Sequence, residues 1–94
     1  MTEMDRLGIL FEEIGARQRA TDEQPLEVAA KKEILDRVLE AQILLPPGNE
    51  HIWDDFRLWI MRSWAVVLKR YGDDAAEPWR VFLVEVNEMI GVRS

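Results

Sequence analysis

Residues 49–72, NEHIWDDFRLWIMRSWAVVLKRYG, constrain this chain more than any other stretch. They read as one helix over about residues 50–71, six turns and roughly 33 Å long at a rise of about 1.5 Å per residue. Three of the chain's four tryptophans fall within it. Projected at about 100° per residue, Val66, Trp59, Ile52, Phe56, Val67, Ile60, Trp53, Tyr71 and Trp64 form one arc. Only Ser63 and Arg70 interrupt it. The arc approaches half the circumference, wider than the stripe of a one-sided surface helix.

Beyond Trp64 the apolar character continues through Leu68, Met61, Ala65 and Leu58, with Asp54 and Arg57 set among them. The remaining polar strip is narrow: Lys69, Arg62 and Asp55. This surplus has two readings. The helix is the centre of a small bundle, touched on two sides, or its second apolar group meets another chain. Burying a side chain of this kind is worth about 1.5–3 kcal/mol, so several left in water are a cost that a fold normally avoids.

The flanking segments supply the rest of a helical bundle. Thr2 is an N-cap for a first helix over 3–19, whose inner face is Met4, Leu7, Leu10, Phe11 and Ile14. Gly8 and Gly15 flank that face, as if a neighbouring helix approached closely there. Thr21 and Gln24 have the form of a capping box, and Pro25 suits a first turn, so a second helix is expected over 22–44. Its inner face would be Ala30, Ile34, Val38, Ala41 and Leu45, continued by Leu35, Leu39 and Val28. Glu27 with Lys31 and Glu33 with Arg37 are spaced for pairs along a solvated face.

Two prolines and a glycine, Pro46, Pro47 and Gly48, break the chain, and Asn49 can cap the central helix. Gly72 ends it, and Asp74 with Glu77 resembles a second capping box ahead of Pro78. A last helix over 75–90 has Trp79, Phe82, Leu83, Val86, Met89 and Ile90 on one face. Val81, Val84 and Val92 lie off it. The expected fold is all-α: a single domain of about four antiparallel helices around the tryptophan-rich third.

Chemistry is sparse. The one histidine, His51, stands near Glu50, Asp54 and Asp55, but a metal site needs further converging ligands. Glu85 and Glu88 have a carboxylate spacing without the histidine that di-iron bundles use, and belong to a solvated face. No phosphate loop or nucleophile elbow occurs, so neither catalysis nor a cofactor or metal is expected. The net charge of −6 argues against nucleic acid held on a basic face and is compatible with a basic protein partner. With no cysteine, no apolar run long enough for a membrane span and no basic leader, the cytoplasm is the expected location.

In size, acidity and helical content, and in no motif, the chain is similar to small bacterial immunity proteins that neutralise basic nucleases. The expected function is a non-enzymatic interaction module that binds and inhibits or adapts a larger protein, of the inhibitor, immunity or antitoxin type carried by phages or plasmids. Its expected partner surface is Arg57, Leu58, Met61, Trp64, Leu68, Val81 and Val84. The alternatives are a homodimer using that surface on itself, and a metal-dependent enzyme centred on His51.

Overall fold

Local signals fix the start of α1 and the end of α3. A computed structural model describes residues 2–91. In it α1 spans Glu3–Thr21 and α2 spans Val28–Leu44. A single 3₁₀ turn, Glu50–Trp53, leads into α3 at Asp54–Tyr71, and α4 follows at Asp73–Gly91. The Thr2 hydroxyl accepts from the Asp5 N–H while the Asp5 carboxylate accepts from the Thr2 N–H, a reciprocal cap for α1. Gly72, at φ +94°, closes α3 in a conformation that side chains disfavour, and α4 starts at the next residue.

Several boundaries depart from the sequence expectation. α2 starts at Val28 rather than near Asp22 or Pro25. The Thr21 hydroxyl donates to the Arg17 carbonyl, so it caps nothing, and Glu23 adopts a positive φ of 55°. Residues 22–27 instead form a connection whose Leu26 side chain is buried in the core. The Asn49 side-chain NH2 donates to the Pro46 carbonyl, and its oxygen accepts from no helix N–H, so α3 is entered through a 3₁₀ turn without a side-chain cap. Pro78 sits in the second turn of α4, where its missing N–H removes one helical bond. Val92 lies outside the described residues.

Ion pairs give the helix directions. Arg6 with Glu40, Glu13 with Arg37 and Arg17 with Glu33 run in opposite order along α1 and α2, so these helices are antiparallel. Arg57 with Asn87 and Trp59 with Trp79 show the same for α3 and α4. The two hairpins then lie side by side. Phe11 packs on Trp53 and Asp22 binds Trp59, which sets α1 parallel to α3, while Lys31 reaches Glu85 across α2 and α4. Glu33 and Lys31 thus make cross-helix bridges where sequence spacing suggested pairs within α2; the long side chains reach partners on the packed neighbours.

The core is an aromatic chain with aliphatic flanks. Phe11, Trp53, Phe56 and Trp59 follow one another with ring centroids 5.6 to 5.8 Å apart, and Phe82 and Trp79 join from α4. Their tilted and edge-on contacts suit the ring quadrupoles. Each buried indole N–H has an acceptor: Trp53 donates to Gln42 Oε1 at 2.7 Å, Trp59 to Asp22 Oδ1 at 2.8 Å and Trp79 to the Gln24 carbonyl at 2.7 Å. Ser63, a gap in the apolar arc, is fully buried and accepts from the Glu23 N–H. All four bonds run from the second hairpin and its entry turn to the first. Met4, Val28, Leu39, Ile52 and Tyr71, expected on inner faces, are exposed, because each helix has neighbours on only part of its circumference.

The close approach expected at the α1 glycines is absent. A Cβ built at Gly8 meets nothing within 4 Å, and one at Gly15 meets only the flexible Arg19 side chain at 3.4 Å. Gly8→Ala is therefore expected to stabilise the protein by about 0.5–1 kcal/mol, read from its urea midpoint, because alanine is the better helix former. Trp53→Phe should destabilise it by about 2–4 kcal/mol, since it removes volume and leaves the buried Gln42 amide without a partner. Adding Gln42→Leu should recover part of that loss; a double variant less stable than Trp53→Phe would contradict the assignment.

Candidate functional site

Three tryptophans are committed to the core, and the fourth is not. Trp64 is 37 % exposed, on the flank of α3 that faces α4, and makes no hydrogen bond of the indole kind among the described residues. With Met61 and Ala65 it forms one wall of an open groove of about 420 Å³. Arg80 and Leu83 of α4 form the other wall, and Trp79 lies at the floor. The groove lies between the antiparallel α3 and α4 over the core aromatic Trp79, where the small Ala65 leaves room.

Its chemistry is that of burial. The lining holds no carboxylate, imidazole or hydroxyl group. Arg80 contributes its aliphatic stem, because its guanidinium is held by the Glu77 carboxylate one turn earlier. That pairing keeps the Glu77 carboxyl below its ordinary range and the Arg80 guanidinium above its own, chiefly through the hydrogen bonds between them. Two smaller hollows, about 210 and 250 Å³, follow the α1/α3 seam and are lined in part by Gln18, Asp55, Asp22 and Arg62. The α3/α4 groove differs from both in being apolar.

The structure gathers some of the seven expected surface residues here and separates others. Met61 and Trp64 line the groove. Leu58, exposed, lies one turn before Met61 on the same flank. Arg57 bridges α3 and α4 nearby, donating to Asn87 Oδ1 at 2.9 Å and to Asp54 Oδ1 at 3.0 Å. Val84 is exposed and follows Arg80 by one turn. Leu68 packs half-buried against the core. Val81 is half-buried on the opposite flank of α4, beside Glu85 and the α2 side of the bundle.

Four groove residues lie outside the expected set. The sequence pattern puts Trp79 and Leu83 on the inner face of the last helix, groups Ala65 with the surplus apolar surface and singles out no role for Arg80. Their shared position depends on the register between α3 and α4, which no local pattern encodes. His51 is exposed on the 3₁₀ turn. Among the described residues no group of three or more His, Cys, Asp or Glu side chains is placed to hold a metal ion. Glu85 is bonded to Lys31 at 2.8 Å, whereas Glu88 is exposed. Among the described residues no helix is long and apolar enough to cross a membrane.

No known protein family, curated protein or solved structure matches the chain. The groove geometry is therefore the basis for the functional reading.

Proposed function

We propose that the protein is a non-enzymatic interaction module that docks on a larger protein through the α3/α4 groove, and inhibits or adapts it. One observation supports this reading above the others: an apolar groove is walled by Met61, Leu83 and Trp64, the one exposed tryptophan among the described residues. Binding hot spots favour tryptophan and arginine, and Trp64 shares this groove with Arg80 while Arg57 lies two turns earlier on α3. Leu58 and Val84 extend it with further exposed apolar area. The net charge of −6 suits a basic partner and a fast, salt-dependent encounter.

The groove would take apolar side chains of the partner against the Trp79 floor, with Trp64 as the protruding anchor. Inhibition would follow from covering the partner's working surface, with no covalent step.

Affinity capture from the source lysate, followed by identification of the bound protein and binding measurements with the purified pair, tests the reading. Met61→Glu and Trp64→Ala should each weaken that pair by about tenfold or more while the fold and solution mass stay unchanged. Equal binding by both variants would place the partner elsewhere. Loss of self-association on Met61→Glu would instead assign the groove to a second copy of this chain.

A further inference from the structure

The outer face of α2 has no packed helix against it among the described residues. Val28, Leu39 and Ile43 are 78 %, 45 % and 61 % exposed, and Leu35 is half-buried next to them. On the helix these four fall within one strip of about 80°, turned away from α1. The charges of α2 divide in the same way. Lys31, Glu33, Arg37 and Glu40 each reach a packed helix, through Glu85 on α4 and Arg17, Glu13 and Arg6 on α1. Lys32 and Asp36 are both exposed, project along the apolar strip and form no ion pair among the described residues. They are four apart with the base first, the less favourable order for a pair within one helix.

We propose that this face is the interface of a two-fold homodimer in which α2 packs antiparallel against α2 of a second copy. The strip is self-complementary in extent. A two-fold axis beside Leu35 sets Val28 of each copy opposite Ile43 of the other, and Leu39 alongside the stem of Lys32. It is also self-complementary in charge. The same operation brings Lys32 of each copy beside Asp36 of the other, so two groups left unpaired in the single chain become two symmetric ion pairs flanking the apolar seam. A strip with only one sign of charge would repel its own copy; here the signs alternate about the axis. The arrangement leaves the α3/α4 groove open, and it does not rest on the use proposed for that groove.

Sedimentation equilibrium across a wide concentration range tests the proposal with charge-swap variants, whose exposed positions leave the monomer's contacts intact. The wild-type chain should be a dimer. Lys32→Asp and Asp36→Lys should each weaken self-association by about tenfold or more, and the two together should restore it. Ile43→Glu should give a monomer of unchanged helix content. A wild-type monomer throughout the range would overturn the proposal, as would a dimer indifferent to the swaps but dissociated by Met61→Glu. These readouts concern self-association and not partner binding, so they fail or succeed independently of the groove.

Discussion

Three indole N–H groups hold two helical hairpins in one register. Trp53, Trp59 and Trp79 belong to the second hairpin and its entry turn, and their acceptors, Gln42, Asp22 and Gln24, belong to the first. A ring buried in the core brings its polar N–H with it, and an unpaired N–H there is expensive, so the acceptor's position is set as firmly as the ring's. Two of the acceptors lie in the short connection between α1 and α2. That connection cannot become the extra helical turn its capping-box sequence suggests, because its carbonyl and carboxylate groups are already used. The buried Ser63 and Leu26 fix it further.

This division of the tryptophans also defines the surface. Once three rings are consumed by the core, the fourth is left exposed on the α3/α4 groove, above the Trp79 floor. The same economy applies to charge. Ion pairs between helices engage most of the charges of α2, and the two left over mark the face without a neighbour among the described residues. The bundle thus presents two apolar surfaces of different form: a concave one between α3 and α4, and a convex strip along α2.

Much of the architecture was legible in the residue pattern. The wide arc of α3, the Thr2 cap and the Gly72 break each act locally, and local signals identify the helices and their order. What depends on register was not legible. Spacing of four placed Glu33 with Arg37, yet Arg37 reaches Glu13 and Glu33 reaches Arg17, because partners across a packed interface compete with partners along the helix. Ser63 looked like a flaw in the arc, and its burial makes sense only with the Glu23 N–H in view. At the groove, Met61 and Trp64 were visible as surplus apolar surface. Leu83 and Arg80 join them only through the antiparallel alignment of α3 with α4.

The most direct test of this account is hydrogen exchange at the four indole N–H groups, followed by NMR on protein labelled at tryptophan. Three resonances, from Trp53, Trp59 and Trp79, should be protected nearly as well as the core amides, and that of Trp64 should exchange rapidly. Fast exchange at the first three would contradict the tethered-hairpin core. Strong protection of Trp64 in the isolated chain would show its indole covered, and would remove the basis for an open groove.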